Sequence, residues 1–256
     1  MATTHTTTRA LALGALAALG GGVLVGNVAA QARKPHAVRP DRFAALAREY
    51  DDRVRGSERS LGVDGDRARL LSRARGRVLE VAAGTWRNAD AYAGAGVLSL
   101  TLTDASPEML AVARGKVGAA PADVRGKLAD VRAVPADRLS SEFPARSFDT
   151  VVDTFGVCSF ADPVRALREM ALVLADDGEL LLLEHGRVTN PNQWGATLIN
   201  ALLDLRAGAH ADAWGCVHNR DVLAAVSSAG FAVEDVRYSQ LSTVVSVVAR
   251  KRRVDP

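Results

Sequence analysis

Two acidic residues stand at the predicted ends of two apolar strands, and their spacing indicates a nucleoside site. Glu80 closes an apolar strand that runs directly into the small-residue turn Ala82-Ala83-Gly84. Asp104 closes the next apolar strand, roughly twenty residues further on. In open α/β sheets, ligands lie at the carboxyl ends of the strands, where an acid on the second strand can accept both hydroxyl hydrogens of a ribose. The pattern therefore predicts that a nucleotide-like ligand lies against this turn.

Strands and helices that alternate along the chain would position these acids. Glu179–Glu184 contains four consecutive leucines, which is typical of a strand covered on both faces of a parallel sheet. Ser106-Pro107 predicts a helix start, with a capping hydroxyl and proline at the first helical position. Two strands, Phe231–Tyr238 and Thr243–Val248, close the chain as a hairpin. This order predicts an α/β fold.

The remaining predicted elements follow the same patterns. Strands are predicted at Arg77–Val81, Val97–Thr103, Lys127–Ala129 and Phe148–Thr154, and helices at Phe43–Val54, Gly65–Ala74, from Asn88, at Ser106–Val117, Pro163–Leu174, Gln193–Ala207 and Arg220–Ala229. The two helices that precede the first strand are expected to cap the edge of the sheet.

The basic charge of the chain belongs to its ends. The formal net charge of the 256 residues is +3, of which the first 42 residues carry +4 and the last seven +3, so residues 43–249 carry −4. This distribution disfavours a broad phosphate-binding face, and nucleic acid is not indicated except through the basic run Arg250–Arg253. A solvated tail is the simpler interpretation of that run.

Residues 10–30 contain no charge and are rich in leucine, valine, alanine and glycine. Three interpretations are open: a secretory signal, a transit segment, and a single membrane span, for which about twenty apolar residues are enough. We favour a membrane anchor within a mitochondrial address. More basic residues follow this segment than precede it, so the rest of the chain is expected to face the matrix or a cytosol-like side.

The cysteine and histidine spacing does not predict a metal site. The two cysteines, Cys158 and Cys216, form neither a paired motif nor a disulfide framework, which fits a reducing compartment. His210, Cys216 and His218 are three mixed ligands without the paired spacing of zinc sites.

Five segments resemble the class I S-adenosylmethionine-dependent methyltransferases, and the match extends over roughly residues 50–250. More narrowly, they are similar to the Oms-type mitochondrial inner-membrane methyltransferase-like proteins and, less closely, to membrane-anchored thiol methyltransferases. The segments are VLEVAAGTWRN, LTLTDASPEML, SFDTVVDTFGVCSFADP, LLLLEHGR and WGCVHNRD. The resemblance implies a seven-stranded Rossmann-like sheet with its last strand antiparallel. It divides the chain into a leader or anchor (1–42), a helical cap (43–76), the methyltransferase domain (77–250) and a basic tail (251–256).

The resemblance also implies a cofactor, S-adenosylmethionine, and the residues that would hold it. Glu80 would hold the turn and the cofactor's amino group, Asp104 would bind the ribose hydroxyls, and Asp130 would accept from the adenine amine. The backbone around these acids and the residues at the site of methyl transfer complete the predicted set: Ala82, Gly84, Ala105, Val131, Asp153 and Thr154. His185 is the candidate general base, because imidazole titrates near neutral pH; a structural histidine is the alternative.

The chain departs from the family's glycine-rich turn at two positions. Ala82 stands in place of the first glycine. Trp86 stands in place of the third, so the largest residue type replaces the smallest. Trp86 could fill the cofactor pocket, or the turn could open and let Trp86 pack outward. If the position requires a positive φ, tryptophan there is strained by about 1 kcal/mol or more.

Three functions follow from these observations. The first is methyl transfer to a small lipophilic or thiol acceptor that reaches the site from the bilayer, on the matrix side of the mitochondrial inner membrane or, alternatively, on the cytosolic face of the endoplasmic reticulum. The second is a mitochondrial assembly or binding factor that has lost catalysis through Trp86. A dinucleotide-dependent oxidoreductase is third, and both Glu80 before the turn and the closing hairpin argue against it.

Overall fold

The computed structural model describes residues 37–252. The predicted anchor at residues 10–30 and the last residues of the basic tail lie outside the described residues. Between residues 37 and 252, no helix combines the length and the apolar character needed to cross a membrane.

A seven-stranded mixed sheet forms the centre of the molecule, with strand order β3-β2-β1-β4-β5-β7-β6. The first five strands are parallel, whereas β7 runs antiparallel to both β5 and β6. The predicted sheet and its antiparallel last strand are therefore confirmed. The strands are β1 Arg75–Val81, β2 Gly96–Asp104, β3 Leu128–Ala133, β4 Phe148–Thr154, β5 Leu174–His185, β6 Phe231–Ser239 and β7 Val244–Lys251.

Helices cover the sheet and precede it. In the described part of the chain they are α1 Pro40–Leu46, α2 Tyr50–Ser60, α3 Val63–Leu71, α4 Pro107–Lys116, α5 Ala122–Arg125, α6 Leu139–Glu142, α7 Pro163–Val173, α8 Ala196–Trp214 and α9 Val222–Ser228. As predicted, Ser106 caps α4: its hydroxyl accepts from the Met109 amide at 3.2 Å, with Pro107 in the first turn.

The four leucines of β5 explain how both faces of the sheet are buried. Leu180 and Leu182 belong to one hydrophobic cluster, which includes α7 and α9, while Leu181 and Leu183 belong to the other, which includes α3. Successive side chains of a strand point to opposite faces, so an unbroken apolar run serves two cores at once.

Among the predicted elements that differ from those observed, three lie near the predicted site. The helix predicted from Asn88 is only a 3₁₀ turn, Ala89–Tyr92, because Asn88 and Tyr92 both donate to the buried Glu80 carboxylate and Gly94 then turns the chain at φ 73°. The helix predicted over Phe43–Val54 is broken between α1 and α2. The third strand does not end at Ala129 but continues to Ala133.

Trp86 packs into the core. Its side chain is 1% exposed and belongs to the cluster that contains Val78, Ala83 and Tyr92. Its backbone has φ 58°, in the left-handed region that non-glycine residues avoid. Burial of the indole therefore offsets the strain of the backbone at this position.

Replacing this side chain tests that balance. We expect Trp86→Gly to lower the free energy of unfolding by about 2–4 kcal/mol, because about 3–5 kcal/mol of aromatic packing is lost and only about 1 kcal/mol of backbone strain is relieved. Urea unfolding measures the difference. Trp194→Ala is the control at an exposed tryptophan, with an expected change below about 0.5 kcal/mol; a Trp86→Gly variant as stable as the parent chain would contradict the assignment.

Candidate cofactor and acceptor site

A cavity of about 390 Å³ opens at the carboxyl ends of β1, β2 and β4. This volume lies in the range of small-molecule sites. Its floor comes from the turn after β1 and the segments after β2 and β4, and its roof from α1 and α2. The residues that line it include Pro40, Phe43, Ala44, Tyr50, Glu58, Arg67, Ala82, Ala83, Gly84, Thr85, Arg87, Asp104, Ala105, Ser106, Met109, Val134, Pro135, Ala136, Thr154, Phe155, Gly156 and Phe160.

The turn after β1 alternates between ordinary and left-handed backbone. Ala82, Gly84 and Trp86 have φ values of 51°, 56° and 58°. Ala82 and Trp86 each raise the free energy of the folded chain by about 1–2 kcal/mol, since a Cβ is crowded in this region. The Ala83 amide donates to the Thr103 carbonyl at 2.9 Å, and the Gly84 amide to Asp104 Oδ2 at 2.8 Å, so β2 holds the turn in this shape.

Asp104 has the geometry expected of a ribose ligand. Its Oδ2 accepts from Gly84 and its Oδ1 from the Ser106 amide, both at 2.8 Å, and the residue lines the cavity. Each carboxylate oxygen can accept two hydrogen bonds, so each oxygen of Asp104 has one acceptor position left for a ribose hydroxyl. Burial raises the pKa of Asp104, against the lowering effect of its backbone hydrogen bonds. The residues present therefore fit a ribose, and Ala82, Gly84 and Ala105 line the same wall.

Glu80 lies behind the turn and outside the cavity wall. Its two carboxylate oxygens accept from Asn88 Nδ2 at 2.9 Å and from the Tyr92 hydroxyl at 2.8 Å. Complete burial raises the pKa of Glu80 to about 7, although both hydrogen bonds lower it. Its contacts connect the turn to the chain that follows; its predicted contact with a cofactor amino group stays a prediction.

Arg67 is a residue of the cavity wall that sequence reasoning missed. Its guanidinium is buried and donates to Asn88 Oδ1 at 2.7 Å, to Thr154 Oγ1 at 3.2 Å and to both oxygens of Glu58 at 3.1 Å. It also lies over the Phe155 ring, 5.7 Å from the centroid. Arg67 belongs to a polar helix with several other charges, and nothing in that helix distinguishes it.

Charged side chains tie α2 to the turn. Asp51 accepts from Thr85 Oγ1 at 2.6 Å and pairs with Lys116 of α4, and Glu58 pairs with Arg87 as well as with Arg67. Burial would raise the pKa of Asp51, but its bonds with Lys116 and Thr85 and the nearby positive charges hold that pKa below its ordinary value. The roof of the cavity is thus joined to its floor by partly buried ion pairs.

The structure places Asp130 and Val131 inside β3 and not after it. Asp130 Oδ1 accepts from the Val131 amide at 2.8 Å, and the carboxylate also pairs with Arg132. Neither residue lines the cavity; the wall after β3 is formed by residues 134–137, Val134, Pro135, Ala136 and Asp137. The position predicted for Asp130 was wrong because β3 is longer than its apolar pattern suggests.

Asp153 and Thr154 follow one another but have different surroundings. Thr154 lines the cavity, whereas Asp153 is 0% exposed and neither of its oxygens has a hydrogen-bond partner within residues 37–252. A Cβ on Gly156 would lie 2.1 Å from Asp153 Oδ1 and 2.8 Å from the Ala82 Cβ. Both distances are steric clashes, so position 156 requires glycine. Burial raises the pKa of Asp153 well above its ordinary value, and the charge of Glu184 adds to this.

His185 lies behind the cavity wall. Its ring stacks on that of Phe155 with centroids 4.5 Å apart, and Phe155 is the residue that lines the cavity. Burial, with smaller effects from His210 and His218, lowers the pKa of His185 to about 4. The imidazole is therefore neutral at neutral pH, and Phe155 rather than His185 lines the cavity.

The pH dependence of stability should reveal the buried Asp153. Because its folded pKa is raised, its ionisation opposes folding as the pH rises from its ordinary value towards the raised one. We expect the stability of Asp153→Asn relative to the parent chain to increase with pH, by up to about 1.4 kcal/mol per pH unit, in urea unfolding between about pH 4 and pH 7.

Asp149 supplies a control of opposite sign. Its hydrogen bond with Arg77 lowers its pKa, so Asp149 contributes stability at neutral pH that is lost on acidification. The decrease in the free energy of unfolding caused by Asp149→Asn should therefore become smaller as the pH falls below about 4. A pH-independent difference for Asp153→Asn would show that this carboxyl does not titrate abnormally.

A comparison with known proteins places this geometry in a family. A model described as a methyltransferase domain matches residues 79–182. The mitochondrial methyltransferase OMS1 of Saccharomyces cerevisiae is 32% identical over 220 residues, 82% of this chain and 45% of that protein. A demethylmenaquinone methyltransferase of Deinococcus radiodurans is 36% identical over 148 residues, 56% of this chain and 58% of that protein. The chain spans about half the length of these curated relatives.

Solved structures show the same fold at low identity. An S-adenosylmethionine-dependent methyltransferase from Thermotoga maritima has a TM-score of 0.57 at 17% identity and covers 83% of this chain and 99% of its own. One from Mesorhizobium loti has a TM-score of 0.53 at 19% identity and covers 73% of this chain and 96% of its own. Together with the domain match and the ribose-type geometry of Asp104, these similarities confirm the resemblance. Residues 79–182 are a methyltransferase domain, its cofactor is S-adenosylmethionine, and the chain has the fold of the class I S-adenosylmethionine-dependent methyltransferases.

Proposed function

We propose that this chain transfers the methyl group of S-adenosylmethionine to a small lipophilic acceptor, with a quinol-like ring or a thiol as the attacking group. The observation that carries the proposal is the composition of the cavity, which is lined both by Asp104, a candidate ribose ligand, and by four aromatic side chains. Those aromatic residues are Phe43, Tyr50, Phe155 and Phe160. Flat apolar walls suit a hydrophobic ring.

The chain's own residues contribute alignment and electrostatics. Methyl transfer from a sulfonium is an in-line displacement, in which the protein mainly orients the two reactants and excludes water. The roof formed by α1 and α2 would exclude water from the cavity. Beneath the floor, burial raises the pKa values of the carboxyls Glu80, Asp153 and Glu184, and a cation bound above them would lower those pKa values again.

Among the described residues, no histidine lines the cavity, and apart from Tyr50 its possible proton acceptors are carboxylates, which are weak bases. Glu58 is paired with Arg67 and Arg87, and the other carboxylates besides Asp104 are Glu108, Asp137 and Asp162. Burial and the charge of Glu58 raise the pKa of Tyr50, so its hydroxyl stays protonated and donates at neutral pH. His185 would act as a base only if its ring became exposed to the cavity. These surroundings favour an acceptor that ionises readily by itself, which supports a quinol or a thiol over an unactivated alcohol or amide.

The relatives support the same acceptor class and a cellular location. The name of one relative specifies demethylmenaquinone, a lipophilic quinone, as its acceptor, and that of another specifies mitochondria. We propose that residues 10–30 anchor this chain in the mitochondrial inner membrane with its domain on the matrix side. An assembly factor without catalysis has less support than the sequence alone suggested, because Trp86 does not line the cavity.

Cofactor binding tests the Asp104 assignment. We expect Asp104→Asn to weaken S-adenosylmethionine binding roughly tenfold to a hundredfold in calorimetry, because charge-assisted hydrogen bonds to two hydroxyls are lost. Glu108→Gln is the matched control, since this exposed acid also lines the cavity and is not predicted to bind the cofactor. Equal affinities in parent and Asp104→Asn would contradict the ribose site.

Product analysis tests the acceptor class. The full chain, with S-adenosylmethionine and either a short-chain demethylated quinol or an alkyl thiol, should yield product heavier by one methyl group in mass spectrometry. Asp104→Asn should lose most of this activity, whereas Glu108→Gln should keep it. Tight cofactor binding without methylation of either acceptor would overturn the proposed acceptor while leaving the cofactor site intact.

A further inference from the structure

Two polar side chains of helix α8, those of Asn200 and Asp204, face the protein. Asn200 accepts from the Val188 amide at 2.8 Å and donates to the Val188 carbonyl at 3.1 Å. Asp204 accepts from Arg187 at 2.6 and 3.2 Å and from Asn219 Nδ2 at 2.7 Å. The inward face of this helix is therefore attached to the body by hydrogen bonds and an ion pair.

The outward face of the same helix carries three exposed leucines in its first ten residues, and the exposed Arg206 and Asp212 follow towards its carboxyl end. Leu198, Leu202 and Leu205 follow one another at intervals of four and three residues, which places them on one face, and their exposed fractions lie between 50% and 66%. Of the nineteen residues of α8, only Ala207 and Ala211 are buried. Three exposed leucines grouped on one side of a surface helix favour contact with a partner that is itself apolar.

A second segment extends this surface. Trp194, immediately before α8, is 92% exposed, and Leu241, in the turn between β6 and β7, is 68% exposed. Gln240, Leu241 and Ser242 all have positive φ values, of 51°, 57° and 65°. For non-glycine residues this conformation persists only where the surrounding structure holds it.

Hydrogen bonds hold this turn against the segment before Trp194. Ser242 Oγ donates to Gln193 Oε1 at 3.0 Å and accepts from Asn190 Nδ2 at 3.0 Å. The strained turn therefore keeps Leu241 at the surface, beside the amino-terminal end of α8.

We propose that Trp194, Leu241 and the leucine face of α8 form a lipid-docking surface that lies in the plane of a bilayer interface. Tryptophan is enriched at such interfaces, and a helix with one apolar face inserts that face among the acyl chains while its axis lies parallel to the membrane. With nineteen residues, α8 is about 28 Å long, so it offers an extended contact.

The path of the chain favours a bilayer as the occupant. The Arg39 amide donates to the Gly215 carbonyl at 3.0 Å, so residues before 39 join the body at the carboxyl end of α8. The uncharged residues 10–30 precede this junction in the sequence. A Cβ on Gly215 would lie 2.9 Å from the ring of Phe43, which lines the cavity, so the same end of α8 also adjoins the cavity roof.

This arrangement would bring a lipophilic acceptor from the bilayer to the roof of the cavity. That route rests on the proposed function, whereas lipid docking by α8 does not.

Tryptophan fluorescence of the full chain tests the docking surface. Of the three tryptophans, Trp86 is buried in the core and Trp194 is the most exposed. On addition of phosphatidylcholine vesicles with brominated acyl chains, we expect the Trp194 emission to shift to shorter wavelength and to be quenched. Trp194→Phe should remove this response and thereby identify its source.

A matched pair of double variants separates this surface from other exposed leucines. Leu202→Gln with Leu205→Gln should weaken vesicle-dependent quenching about tenfold or more, because two leucine side chains that would enter the bilayer are lost. Leu98→Gln with Leu172→Gln, at exposed leucines elsewhere in the fold, should leave it unchanged. Circular dichroism and thermal unfolding confirm that both variants fold.

Three results would overturn the proposal. Vesicle binding without quenching of Trp194 would show that residues outside this surface make the lipid contact. A Trp194 emission already at short wavelength without lipid, and unaffected by the α8 variant, would indicate that another part of the chain covers the surface. A change of mass in solution caused by the α8 variant, without any effect on lipid binding, would assign the surface to a second copy of the chain. Because none of these measurements involves methyl transfer, they do not depend on the acceptor.

Discussion

The site depends on one carboxylate, that of Asp104, which joins the ends of two neighbouring strands. By accepting from the Gly84 amide it holds a turn whose left-handed residues would otherwise favour other conformations. The bond to the Ser106 amide fixes the same carboxylate at the start of α4. The lone pairs that remain are directed by these two bonds, so the group that builds the turn also prepares the cavity for a hydroxyl-bearing ligand.

Beneath the floor of the cavity, the protein buries several acids close together. Glu184 accepts from the amides of Gly156, Val157 and Cys158, and Glu80 accepts from Asn88 and Tyr92, but Asp153 accepts from none of the described residues. Burying carboxyls together disfavours their ionisation and raises their pKa values. A cation bound above them would favour their ionised forms, so the binding of a cationic cofactor and the ionisation of these carboxyls would support each other.

The helices that precede the sheet form part of the site. They were predicted to cap the sheet edge, yet α1 and α2 supply the roof of the cavity, and α3 supplies Arg67. Asp51 and Glu58 attach α2 to the turn through partly buried ion pairs. Breaking such a pair leaves a charge without its partner, so the roof and floor are expected to stay together.

The sequence by itself determined the alternation of strands and helices, the closing hairpin and the placement of Glu80 and Asp104 at strand ends, whereas the antiparallel last strand of the sheet came from the family resemblance. The first three features follow from periodicity and from local turn chemistry, which a single chain displays without reference to distant residues. The four leucines of β5 indicated a covered central strand for the same reason. Local sequence patterns do not show which distant residues a side chain contacts in the folded protein. Only the tertiary structure decided that Trp86 packs into the core, that Phe155 rather than His185 lines the cavity, and that Arg67 reaches Thr154, 87 residues away. Each of these outcomes depends on which neighbours fill the surrounding space, and packing across the sheet brings those neighbours together from distant parts of the chain.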